Sequence, residues 1–122
     1  MKEDIINRLA TLGYTYVEAD DVLIDFVIEK VTNHICNNCN LSEIPLGLKE
    51  KAIDMICGEI LKVKYSLGLL DIESAVSSIK EGDTQINFSS GNTPEETYLN
   101  YINTLASDTI DFARYRKINW NW

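Results

Sequence analysis

Apolar residues recur along the chain at helical spacing, in runs separated by residues that stop helices. In residues 3–12 the run is Ile5, Ile6, Leu9 and Leu12, and it ends at Gly13, which can take the left-handed conformation that closes a helix. A second helix starts between residues 16 and 22, with Thr15 and Glu18 as one capping box and Asp20 or Asp21 as another start. At about 100° per residue, Leu23, Ile24, Val27, Ile28, Val31, Ile35 and Cys39 share one arc of about 160°, with Asp25, Glu29, Thr32 and Asn33 opposite. That helix faces a core as far as about residue 38, where Asn37-Asn38-Cys39-Asn40 competes for backbone hydrogen bonds. Pro45 sits near the first turn of a third helix, in which Leu48, Ala52, Ile53, Met55, Ile56, Ile60 and Val63 form one stripe to about Tyr65.

Ser66 to Asn92 changes character, with Gly68, Gly82, Gly91 and many serines. Val76 to Ile79, and then Thr84, Ile86 and Phe88 at alternate positions, read as two short strands or extended segments about the turn Glu81-Gly82-Asp83. A connection this long in a small helical domain is usually functional or disordered, and the alternating apolar residues favour an interaction loop that pairs. Thr93-Pro94-Glu95-Glu96 then supplies a capping hydroxyl, a proline at the first helical position and a glutamate three residues on. Tyr98, Tyr101, Ile102, Leu105, Thr109, Phe112 and Ala113 line one face of the helix that follows, to about residue 116. The predicted fold is all-α: a single domain over residues 1–122, built as a small bundle of about four helices. A long loop at 66–92 carries a short β-hairpin or extended segment before the last helix, and residues 114–122 form a C-terminal docking tail.

Two positions in the third stripe stand out. Gly58 costs about 1 kcal/mol against alanine in mid-helix, so it marks either a close approach of another backbone or a tolerated defect. Glu59 projects near the centre of the stripe and is either paired, set against a partner subunit, or an edge residue reaching water.

With 11 Lys and Arg against 19 Asp and Glu the net charge is −8. Residues 1–112 carry 8 basic and 19 acidic groups, a balance of −11, and the last ten carry only Arg114, Arg116 and Lys117. An acidic body disfavours sequence-independent DNA binding, which depends on cations at phosphates. The longest apolar stretch, Val22 to Ile28, is interrupted by Asp25, and Glu3 and Asp4 stand where a signal peptide carries basic residues; a soluble, cytoplasmic protein with no membrane contact is expected. Three cysteines fit a reducing compartment.

Candidate chemistry is sparse. Cys36-x-x-Cys39 with His34 and Cys57 is the one set resembling a metal or redox site, but His34 and Cys36 point about 200° apart on a helix and Cys57 stands alone. Small buried or half-buried thiols are the expected outcome. His34, the single histidine, lies mid-helix at the edge of a core stripe, and the six glycines form no phosphate-cradling motif. No enzyme activity, cofactor or metal is expected. The tail is different: Trp120 and Trp122 with three cations match the residue types enriched at interface hot spots, the alternative being that both rings fold back onto the domain's own core.

In this order the elements resemble the bacteriophage head-tail connector family, the small adaptor or head-completion proteins of tailed phages and prophages. The resemblance is carried by the paired helices around Asn38-Cys39-Asn40 and Glu43-Ile44-Pro45, by Ser-Ile-x-Glu-Gly-Asp-Thr-x-x-x-Phe over residues 78–88, and by Tyr-Arg-Lys-x-x-Trp over residues 115–120. It implies a structural virion protein forming a ring of about 12 copies at the virion neck, assembled in the bacterial host cytoplasm. Its partners would be further copies of itself, the portal protein, and a tail-side stopper or tail completion protein. DNA would pass the channel without being read. Mapped onto matching positions, the resemblance implies an interaction loop at Ser78, Ile79, Glu81, Gly82, Asp83, Thr84, Ile86 and Phe88. It also implies docking by Arg114, Tyr115, Arg116, Lys117, Trp120 and Trp122. Gly58 and Glu59 are the candidate subunit contacts in the body. The alternative is a small cytoplasmic helical regulatory or protein-binding module whose tail grips one partner.

Overall fold

Apolar stripes and the residues that end them produce five α-helices in the computed structural model, which describes residues 1–82, 93–107 and 110–115, without the side chains of residues 80–82. These are α1 (Lys2–Thr11), α2 (Asp21–Cys39), α3 (Lys49–Ser66), α4 (Ile72–Gly82) and α5 (Pro94–Ala106). Single 3-10 turns lie at Glu18–Asp20, Leu46–Leu48 and Phe112–Arg114. The all-α class follows the periodicity. Gly13 closes α1 at φ +82°, where an added Cβ would sit 2.6 Å from the Ala75 carbonyl oxygen on α4. Asn40 ends α2 in the left-handed region (φ 54°), and the Leu41 N–H turns back to donate to the Cys36 carbonyl at 3.1 Å. Thr93 Oγ1 accepts from the Glu96 N–H at 3.1 Å, with Pro94 opening α5 as its sequence requires.

α3 is the central helix, packed against α1, α2 and α5, and α4 leans on α5. This explains why α3 buries a wider surface than one stripe, with Ala52, Met55, Ile56, Cys57, Gly58, Ile60 and Leu61 all inside. α2 and α3 run antiparallel, as the pairs Asp20–Lys64 and Lys30–Glu59 require. At Gly58 the second backbone is that of α5: a Cβ there would meet the Ala106 nitrogen at 2.6 Å and the Ile102 carbonyl oxygen at 2.9 Å. The glycine is therefore a requirement of the packing and not a tolerated defect. Tyr98 carries α5 into the core and donates its hydroxyl to the Leu12 carbonyl at 2.8 Å, satisfying an orphan acceptor at the end of α1.

Among the described residues one charged group is fully inside. Asp20 is 1% exposed, and accepts from the Tyr14 hydroxyl (2.8 Å) and the Val17 N–H (3.2 Å), with the Lys64 ammonium 2.5 Å from its other oxygen. Burial alone raises the Asp20 carboxyl pKa, but the hydrogen bonds from Lys64 and Tyr14 outweigh it and hold the group below the usual carboxylate value.

Three expectations are corrected. Val76 to Ile79 is not a strand: it lies inside α4, where Ile72, Ala75, Val76 and Ile79 fall on one helical face and Asp71 accepts from the Ser74 N–H at 3.1 Å at the helix start. Ile79 is consequently buried core and not a loop contact. The partner strand at Thr84, Ile86 and Phe88 lies outside the described residues. The bundle thus has five helices among the described residues instead of about four. The last helix stops at Ala106, well short of residue 116, because Ser107 turns extended (ψ 145°) and its hydroxyl donates to the Thr104 carbonyl at 2.8 Å. Asp111 then caps a separate 3-10 turn through the Ala113 N–H at 3.2 Å.

The helical reading of residues 72–82 has a direct consequence. Ile79→Val is expected to cost about 1 kcal/mol from the lost methyl group, while Ser78→Ala, at the neighbouring exposed position, stays within about 0.5 kcal/mol. Urea melts of both variants check it; equal effects would mean that residue 79 is not packed.

Candidate functional site

The antiparallel packing of α2 and α3 leaves a cleft of about 380 Å³ where the C-terminal end of α5 meets them. Val31 and Met55, both buried, form an apolar floor, and Ala106 closes one side. Lys30 and Glu59 stand at the mouth with their charged groups 3.4 Å apart, and His34 completes the rim. The His34 ring meets Phe112 edge to face at a centroid distance of 5.7 Å, which anchors the 3-10 turn after α5 beside the cleft. Glu59, half-buried, is thus paired within the chain.

Next to the cleft, α2 carries an apolar strip on its outer face. Val22 and Phe26 are 81% and 63% exposed, and the four-residue step that links them continues to Lys30 and His34 at the rim. Leu46, Leu67 and Leu69 are also exposed.

Of the residues that the sequence singled out, the structure brings Glu59 to the cleft and Gly58 to the buried face behind it. Ser78 is exposed on α4, on the far side of that helix from the buried Ile79. Glu81 and Gly82 end α4. Arg114 is exposed in the last 3-10 turn, and Tyr115 packs against the core with its ring on Gly47, where an added Cβ would lie 3.1 Å from Tyr115 Cε1. Asp83, Thr84, Ile86, Phe88, Arg116, Lys117, Trp120 and Trp122 lie outside the described residues. Comparison with protein-family models, curated proteins and solved structures finds no match to this chain.

Thiol chemistry finds no footing in the described geometry. Cys36, Cys39 and Cys57 are all buried and reduced. Burial first, and then the nearby Asp54 charge, push the Cys57 thiol up to about 12, so it stays protonated at neutral pH while its Sγ lies 3.7 Å from the Ile5 carbonyl oxygen. Among the described residues no three His, Cys, Asp or Glu side chains converge on a point that could hold a metal, and no helix is long and apolar enough to cross a membrane. What the cleft offers is an apolar floor under a charged rim. The signal for Val22 and Phe26 was present in the sequence as apolar residues on the polar face of a helical projection. The cleft was not legible there, because its lining comes from three helices.

Proposed function

We propose that the protein is a structural subunit of a phage or prophage head-tail connector, forming a ring of about 12 copies between the portal and a tail-side stopper or completion protein at the virion neck. The observation that carries this reading is the set of exposed apolar side chains on a small acidic body, led by Val22 and Phe26 beside the cleft. Such surfaces fit a protein that is soluble before assembly and covered after it. The motif order over residues 78–88 and 115–120 supports the same reading. An acidic wall suits a channel through which DNA passes without adhering. In this reading the connector performs no chemistry, and its neighbours are protein surfaces.

The test is assembly. Light scattering and negative-stain electron microscopy, over a range of protein and salt concentration and with the cognate portal, should show a ring that salt favours by screening repulsion between acidic bodies. A protein that stays monomeric or dimeric under all these conditions and binds a single cellular target would instead be a small helical regulatory or binding module.

A further inference from the structure

We propose that the cleft between α2, α3 and the end of α5 binds a free hydrophobic α-amino acid, with the ligand's side chain on the apolar floor and its zwitterionic head across the Lys30–Glu59 pair. The inference goes beyond the connector reading and stands on the geometry of the cleft.

The rim is a dipole over an apolar hollow. Lys30 Nζ and Glu59 Oε2 are 3.4 Å apart, longer than the roughly 2.7–2.9 Å of a close charge-assisted hydrogen bond. Among the described residues each has the other as its ion-pair partner. The Lys30 side chain is 58% exposed and that of Glu59 25%, so the lysine can shift on its flexible stem to admit a ligand while the glutamate stays in place. One positive and one negative group thus stand side by side at the mouth.

Charge decides the ligand class. A simple cation is drawn to Glu59 and repelled by Lys30, and a simple anion meets the reverse; a neutral apolar molecule takes water from both groups and replaces none of its hydrogen bonds. An α-amino acid carries its ammonium and carboxylate on one carbon, with the nitrogen and the nearer carboxylate oxygen roughly 3 Å apart by bond geometry. That spacing matches the 3.4 Å of the protein pair, so the ammonium meets Glu59 and the carboxylate meets Lys30 at the same time. Ala106, the last residue of α5, lines the cleft and lies against Gly58, the neighbour of Glu59. The negative end of that helix dipole therefore adds to Glu59 on the ammonium side.

The floor decides the side chain. Val31 and Met55 are buried beneath the rim, and the cleft volume of about 380 Å³ lies at the low end of the roughly 300–1,000 Å³ typical of ligand pockets. Met55 adapts its shape to what lies on it. Leucine, isoleucine and methionine side chains cover such a floor; alanine leaves it wet, and an acidic or basic side chain brings a third charge onto apolar surface. His34 is held by Phe112 and Asn38 and serves as a wall.

Isothermal titration calorimetry of the full chain tests the proposal. L-leucine and L-methionine should bind saturably, one per chain. L-alanine, shorter than leucine by three carbons, should bind at least about 30-fold more weakly, at about fourfold per methylene. Leucinamide, which lacks the carboxylate, and 4-methylpentanoate, which lacks the ammonium, should each lose about tenfold or more. Lys30→Gln and Glu59→Gln should each weaken leucine binding about tenfold, whereas Lys49→Gln, which removes the surface pair with Asp4, should leave it unchanged. Circular dichroism checks that each variant folds, and Lys30→Gln, at the more exposed position, decides the matter should Glu59→Gln not fold. Absence of binding by leucine, isoleucine and methionine at about 10 mM, the weak end of specific affinity, would overturn the proposal. Leucinamide binding as tightly as leucine would overturn it too, since the site would then read a cation alone. So would leucine affinity unchanged in the folded rim variants, which would place the ligand elsewhere. None of these readouts depends on assembly, so the ring reading stands or falls separately.

Discussion

Gly58→Val is expected to cost about 4 kcal/mol, enough to lower the melting temperature by roughly 15 °C in a domain of this size. Overpacking a core by one or two methyl groups commonly costs about 1–3 kcal/mol, because flexible side chains give way. Here the atoms in the way are the Ala106 nitrogen, the Ile102 carbonyl oxygen and the Ala106 Cα, all main chain of α5. A helix must move as a unit to make room, and α5 also carries Tyr98, Ile102 and Leu105 into the core. Gly58→Ala should already cost about 2 kcal/mol, in spite of alanine's better helix propensity. Thermal and urea unfolding of the two variants measure this, and a Gly58→Ala protein more stable than the parent would mean that α3 and α5 are further apart than described.

Lys64→Met is the second large effect, expected at about 3 kcal/mol at pH 7, against about 1 kcal/mol for Asp20→Asn. The asymmetry comes from where each survivor can go. Without Lys64 the Asp20 carboxylate remains 1% exposed, with only Tyr14 and the Val17 N–H as partners, whereas Lys64, 14% exposed on a flexible stem, can swing its ammonium to water. The pH dependence carries the signature. In the parent, the carboxyl is held below its unfolded value, so its contribution is present above about pH 4 and is lost as pH falls through the folded value. In Lys64→Met, desolvation dominates and lifts the folded carboxyl above its unfolded value, so the penalty appears above about pH 4 and vanishes below it. Unfolding curves from pH 3 to 8 should therefore converge at the acid end. Curves that stay parallel would assign the loss to packing of the lysine stem.

The helices were legible wherever one face of one helix decided the outcome. Gly13, Asn40 and Thr93-Pro94 stop or start helices through local chemistry, and the structure uses each of them at its place. The errors came where a local signal was weighed against its surroundings. Ile72, Ala75, Val76 and Ile79 have helical spacing behind the capping Asp71, but the serines and glycines around them and the β-branched valine and isoleucines favoured an extended reading. Beyond Ala106 the apolar spacing of Thr109, Phe112 and Ala113 continued the stripe, while Ser107 and Asp111 held the opposing information in their side-chain hydrogen bonds. The cleft needed tertiary knowledge: Lys30 and His34 come from α2, Met55 and Glu59 from α3, and Ala106 from α5. No single-helix projection brings the five together.

The bond from Tyr98 to Leu12 has a consequence for how the molecule is made. Eighty-six residues separate its two ends, and the chain emerges from the ribosome at about 5–20 residues per second. For several seconds after α1 is synthesised, its last carbonyl has no protein donor and the groove on α3 around Gly58 has nothing to fill it. A nascent chain lacking α5 therefore exposes the interior faces of its earlier helices, and a prematurely terminated one never covers them. The fold closes only once α5 has been made, so fragments that end before it are left to chaperones and proteases.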